Sequence, residues 1–142
     1  MEREEIKELI RNFIKRHKVA VMSTVTKEGN PEAAALEFGD TDDLELIFDT
    51  IVTYRKYKNL EENNRVAFVI GWDENITVQY EGEAHELSGE EEVKYKQLYF
   101  QKNPKAKKWE KNPEIRYFKV IPKWIRYSNL NVNPWEIHEI RI

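Results

Sequence analysis

Ile6, Leu9, Ile10, Phe13 and Ile14 recur at i, i+3, i+4, i+7 and i+8, with Glu2, Glu4, Glu5, Lys7, Glu8 and Arg11 set between them. That spacing gathers the apolar set on one stripe and predicts an amphipathic helix that opens the chain and stops near His17. Acids crowd its first turns and Lys15, Arg16, His17 and Lys18 its end, the arrangement that complements a helix dipole.

The period then shortens. Residues 19–25 are apolar or β-branched, Thr26-Lys27-Glu28-Gly29-Asn30-Pro31 supplies turn chemistry, and residues 32–38 run extended again, which predicts a hairpin. After a turn over residues 39–43, Leu44, Leu46 and Phe48 alternate with Glu45, Ile47 and Asp49, predicting a third strand over 44–50. Residues 54–63 lose that alternation. Tyr54, Tyr57, Lys58, Leu60 and Glu61 fit a short helix that Thr53 is placed to cap.

A second hairpin follows from residues 65–70 and 76–87, with Gly82 as a bulge or bend in the longer strand. Ser88-Gly89-Glu90-Glu91 has the Ser-x-x-Glu form of a capping box and opens a helix to about Asn103, ahead of Pro104. Extended segments at 117–121, 124–127 and 135–142 complete the chain. Consecutive hairpins with few helices predict a mainly β protein, an antiparallel barrel, because parallel neighbours would need a crossover after each strand. No repeat, low-complexity tract or linker divides the 142 residues, so they are expected to form one domain.

Four Trp, seven Tyr and six Phe give the chain enough apolar bulk for a core despite 35% charged residues. The net charge of −3 is spread without a basic stripe, so nucleic acid is not an expected partner. The richest basic stretch, residues 102–111, is broken by Pro104 and Glu110 and reads as a solvated loop or helix end. No apolar run approaches the roughly 20 residues of a membrane span and no segment resembles a signal peptide, so a cytoplasmic protein is expected.

The absence of cysteine removes disulfides, thiolate metal sites and cysteine nucleophiles. His17, His85 and His138 lie far apart with no metal-ligand spacing, so no bound metal is expected. There is no Gly-x-Gly-x-x-Gly and no Gly-Lys-Ser/Thr loop. An anion would therefore be held by side-chain cations and a helix N-terminus, which directs attention to residues 50–56, where a strand ends and a helix begins with Arg55 and Lys56. On spacing alone the same pair also fits an exposed basic helix start.

Phe48-Asp49-Thr50, followed by Arg55-Lys56-Tyr57-Lys58-Asn59-Leu60-Glu61-Glu62-Asn63-Asn64-Arg65-Val66-Ala67, resembles the pyridoxamine 5′-phosphate oxidase-like FMN-binding split-barrel family. Ser23-Thr24-Val25-Thr26-Lys27-Glu28-Gly29-Asn30-Pro31 is similar to the family's first hairpin, and Gly82-Glu83-Ala84 to a later barrel strand. The resemblance implies a split β-barrel that binds FMN between two copies of itself. It places Arg55 and Lys56 on the FMN phosphate, and Thr50, with Asp49 beside it, against the flavin. It also implies that Ala33-Ala34-Ala35-Leu36-Glu37 runs along the ring, with Ala34, Ala35 and Leu36 near it, and that Thr77 and Trp124 contribute to the cofactor site.

Two departures qualify what the resemblance implies. Basic residues that the oxidase carries on the ring strand are missing, with Glu37 in their place, and the Arg/His-rich terminal signature is absent. The expected function is therefore that of an FMN-dependent oxidoreductase of unspecified substrate, not pyridoxal phosphate synthesis. A flavin- or tetrapyrrole-binding carrier, store or sensor, or a deazaflavin-dependent reductase, is the alternative.

Overall fold

The computed structural model describes residues 1–142. Helix α1 (Arg3–Lys15) precedes strands β1 (Val19–Val25), β2 (Pro31–Glu37), β3 (Gly39–Asp40) and β4 (Leu46–Ile51). Helix α2 (Arg55–Glu62) leads into β5 (Arg65–Ile70) and β6 (Ile76–Glu86), then α3 (Gly89–Lys102) and a 3-10 segment (Pro104–Trp109). Strands β7 (Ile115–Asn129) and β8 (Glu136–Arg141) finish the chain.

All strand pairs are antiparallel, in the order β2-β1-β5-β6-β7-β4-β3, with β8 on the second half of β7. The sheet curls into a split barrel whose two edges are β2 and the two-residue β3, which covers only the start of β4 and leaves its second half open. The expectation of a mainly β antiparallel barrel with an N-terminal helix is met.

Alternation explains the curl. Val66, Phe68 and Ile70 of β5, Val78, Tyr80 and Ala84 of β6, and Ala20 and Met22 of β1 all face inward, where Ile10, Phe13 and Ile14 of α1 close the core. The register shifts between Glu81 and Gly82, opposite Pro122. A Cβ on Gly82 would stand 2.4 Å from the Ile121 carbonyl oxygen, so only glycine admits this close approach of β6 and β7. A second, smaller core lies under α3, where Ile47, Leu87, Tyr95, Tyr99, Ala106 and Tyr117 meet.

Several local expectations are corrected. Leu44 lies in a turn at φ 65°, and β4 starts only at Leu46. Ile47, assigned by alternation to the polar side, is fully buried because α3 covers that face. Thr53 does not cap α2: the N-cap residue is Tyr54, with no side-chain cap. Ser88 is the N-cap of α3, yet its hydroxyl makes no capping bond, and Glu91 pairs with Lys119 of β7 instead. The two extended segments around Ile121 and Trp124 are one long strand, with Pro122 seated at the bulge where its missing N–H costs nothing.

The end of α3 is fastened to the open side of the barrel. Lys102 Nζ donates to Asp40 Oδ1 (2.7 Å) and to the Ile14 carbonyl (3.0 Å) and stands 4.0 Å from the centre of the Phe38 ring. Asn103 donates to the Phe38 carbonyl at 2.7 Å. These bonds set the 3-10 segment beside β2 and β4. No helix is long and apolar enough to cross a membrane.

Candidate functional site

Two connected grooves run along the split between β2 and β4. The first, about 360 Å³, is lined by Met22, Thr24, Glu32, Ala33, Ala34 and the α2 approach from Thr53 to Lys56. The second, about 400 Å³, continues past Leu36, Glu37, Asp49, Thr50, Tyr54 and Lys56 to Tyr99, Lys105, Lys108 and Trp109. Tyr54 and Lys56 belong to both.

The helix start that carries the cations is fixed by backbone. Val52 donates to the Glu114 carbonyl (3.1 Å) and Tyr54 to that of Ile51 (2.9 Å), turning the chain out of β4 so that α2 begins at Arg55. Adjacent residues on a helix diverge by about 100°. Arg55 accordingly turns to β2, where its Nη1 pairs with Glu32 Oε2 at 3.0 Å, while Lys56 turns to β4 and stands 5.1 Å from the Tyr54 ring.

Asn59, one turn after Arg55, shares its face. Its buried Nδ2 donates both to Glu32 Oε1 (2.8 Å) and to Thr24 Oγ1 (2.9 Å), so each Glu32 oxygen is engaged and Thr24 anchors the group from β1.

Arg55 is well exposed, with 75% of its side-chain surface open. Lys56 is not, so the pair is not simply an exposed basic helix start. Lys56 is half-buried, and burial lowers its pKa against the opposing pull of Asp49. Burial in turn raises the Asp49 carboxyl above its ordinary range, with the Tyr99 hydroxyl favouring the ionised form, Glu37 opposing it and Lys56 supporting it. Burial is also the main cause that lifts the Tyr99 and Tyr117 phenols, so both stay protonated through neutral pH. The Thr50 hydroxyl is buried at the groove with no partner.

Arg55, Lys56, Asp49, Thr50, Ala34 and Leu36 thus come together on the grooves, in two neighbouring parts rather than one cluster. Ala35 does not line them: it pairs with Val21 on the outer face of the sheet. Thr77 of β6 donates to the Ile70 carbonyl of β5 (3.5 Å), and Trp124 lines a separate cavity of about 220 Å³ on the outer face with Val21, Ser23, Ala67 and Val69. Within one chain neither residue reaches the grooves. No cluster of three or more His, Asp and Glu side chains is arranged to hold a metal.

Sequence reasoning missed Glu32 and Asn59, and it gave the basic stretch 102–111 no role although Lys105, Lys108 and Trp109 wall the second groove. The i, i+4 relation of Arg55 and Asn59 was a readable signal. The 3-10 wall had none, since tertiary bonds from Lys102 and Asn103 place it.

The donor set suits a ligand with an anionic group at one end and a flat body at the other. Two cations and an unpartnered buried hydroxyl meet small side chains on β2 and aromatic Tyr54 and Trp109. A curled antiparallel split barrel with Arg55 and Lys56 on a groove at its open side defines the class. The pyridoxamine 5′-phosphate oxidase family model matches residues 6–129, and the chain belongs to that family.

Among solved structures, a heme binding protein from Mycobacterium smegmatis superposes with a TM-score of 0.86 at 16% identity, over 99% of this chain and 60% of that one. General Stress Protein 26 from Bacillus anthracis gives 0.74 at 23% identity, covering 97% and 99%. Campylobacter jejuni ChuZ gives 0.82 at 14%, covering 99% and 61%. The chain therefore spans about three fifths of the length of the first and last of these, and all three likenesses concern the fold. No curated protein sequence matches the chain.

Proposed function

We propose that this protein binds FMN along the split between β2 and β4, with its phosphate toward Arg55 and Lys56, and serves as a redox flavoprotein built as a homodimer. The observation that carries the reading is the placing of both cations at the start of α2, on grooves that continue past the unpartnered Thr50 hydroxyl to Tyr99 and Trp109. A bound flavin ring supplies hydride or single-electron transfer, so the protein needs no nucleophile of its own. Arg55 offers a planar fork for phosphate oxygens, Lys56 a point charge, and the first-turn amides of α2 add partial positive charge.

The small side chains Ala33 and Ala34 let β2 backbone approach a flat ring. Asp49 and Glu37 stand on the second groove together with Lys56, Lys105 and Lys108, so its lining offers both signs of charge to a bound ring. Pyridoxamine 5′-phosphate is not the proposed substrate, since β2, which would run along the ring, carries no basic residue and has Glu37 at its end. The family membership supports the flavin reading.

The heme binding named for the Mycobacterium relative raises a tetrapyrrole as the second reading. It is less well supported by the grooves, whose linings include no histidine. His17 is tied to the Phe13 carbonyl, His85 stands by Glu83, and His138 by Glu136.

Titration of the purified protein with FMN, riboflavin and haemin tests both. Wild type is expected to prefer FMN to riboflavin, and Arg55→Ala to weaken FMN by about 10- to 100-fold, the worth of one charge-assisted hydrogen bond, with riboflavin changed by less than about twofold. Equal affinity for the two flavins, or a Soret-type haemin complex that excludes FMN, would overturn the flavin reading.

A further inference from the structure

Glu32 occupies the side of the Arg55 guanidinium that the proposed phosphate would use. Its carboxylate lines the same groove as Arg55 and Lys56, and Oε2 engages the Arg55 guanidinium at 3.0 Å. It is no wandering surface acid. Oε1 is held by Asn59, which is itself buried and fastened to Thr24, so the carboxylate is fixed from three elements: β2, α2 and β1. We propose that Glu32 is a built-in competitor for the phosphate of the groove's ligand, lowering the affinity for a phosphate monoester while leaving that for the unphosphorylated ring untouched. This rests on the flavin reading above.

The charges decide the sign. Around the first groove Arg55 and Lys56 face one fixed carboxylate, and the positive charge of Lys56 is already disfavoured by burial. A monoester dianion entering there meets a cation whose best partner is taken and a like charge that cannot swing away without losing its bond from the buried Asn59 amide. A site built only to grip phosphate would not fix an acid inside it, whereas one that must release or exchange its ligand gains from such an element. The arrangement therefore points to reversible loading of the phosphorylated cofactor, with the exposed Arg55 returning to Glu32 as the ligand leaves.

The alternative is that Glu32 merely orients Arg55, in which case its removal weakens phosphate binding. Glu32→Gln distinguishes the two, because the amide keeps the shape and can still accept from Asn59. The measurement is the Kd for FMN and for riboflavin by fluorescence titration, with thermal unfolding recorded for each variant. Glu32→Gln is expected to tighten FMN about tenfold and to leave riboflavin within about twofold, and Glu32→Ala to move FMN in the same direction.

In an Arg55→Ala background the gain should largely vanish, since the competition is for that side chain. FMN affinity unchanged or reduced in Glu32→Gln, while Arg55→Ala still weakens FMN, would overturn this proposal and leave the flavin reading standing. Loss of any difference between FMN and riboflavin in every protein, wild type included, would remove both.

Discussion

Burial holds the Asp49 carboxyl above its ordinary range, although Tyr99 and Lys56 pull the other way. A carboxyl whose folded pKa exceeds its unfolded one binds its proton more tightly in the native state. The stability it contributes is complete below the unfolded value of 3.8 and is lost as pH rises through the higher folded value. Asp49→Asn removes that dependence. The stability of the variant relative to wild type should therefore increase as pH is raised from about 4 to 7, whatever the constant offset caused by the change near Lys56. Urea unfolding of both proteins at several pH values measures it, and a difference that is flat or falls with pH would contradict the burial of this group. Beside the proposed flavin, Asp49 is a groove acid that carries its charge reluctantly.

The elements differ in how far their function is local. Strands β1, β5 and β6 announce themselves, β1 and β5 as apolar or β-branched runs and β6 by its alternation, each bounded by turn residues, and in all three every second side chain is buried. Strand β4 does not, since both its faces are covered and Ile47 breaks the two-sided pattern. Arg55 and Lys56 were legible through the strand-to-helix transition that carries them. Glu32 was not, for its tie to Arg55 spans residues far apart in the chain and depends on the β1–β2 register.

The 3-10 wall is the clearest case of placement from a distance. Asp40, buried at 5% side-chain exposure, is held by Lys102 and by Lys15 at 3.2 Å. Burial lowers the Lys102 pKa while Asp40 sustains its charge, so neither ion is well off alone. Lys102→Ala should cost about 2 kcal/mol, below the usual 3–5 for breaking a buried pair because Lys15 remains on Asp40. It should also free Lys105, Lys108 and Trp109 from the second groove. Chemical denaturation reads the first effect and faster hydrogen exchange of residues 104–109 the second. Unchanged exchange would mean that Asn103 alone holds the segment.

At the scale of the whole molecule the outer face of the sheet is unusual for a surface. The strand register lays Ala35, Val21 and Val69 in one row across β2, β1 and β5, and Ala33, Ser23 and Ala67 in the next. Ser23 is the one polar side chain in these rows on the three strands, and Gln79 and Glu81 follow on β6. An antiparallel sheet with one face on solvent ordinarily alternates to polar side chains there. Here Val69 and Val19 remain 40% and 44% exposed in the single chain. The face is built of small and mostly apolar side chains, suited to a two-fold copy of itself, and Ala33 on it also borders the first groove. The proposed homodimer would bring this patch against its twin and set each groove at the contact. Its interface should exceed the roughly 1,200 Å² that separates stable from weak association. Val69→Lys places a charge at the centre of the patch with no partner, which should raise the dimer Kd by roughly 100-fold or more. The side chain lies outside both grooves, so any loss of flavin affinity must act through assembly. Multi-angle light scattering over a concentration series, paired with FMN titration, is the measurement. A monomeric wild type at micromolar concentration that binds FMN fully would show that one chain suffices for the site. A Val69→Lys protein whose FMN affinity recovers as dimer is restored at high concentration would show that the two-fold contact completes it.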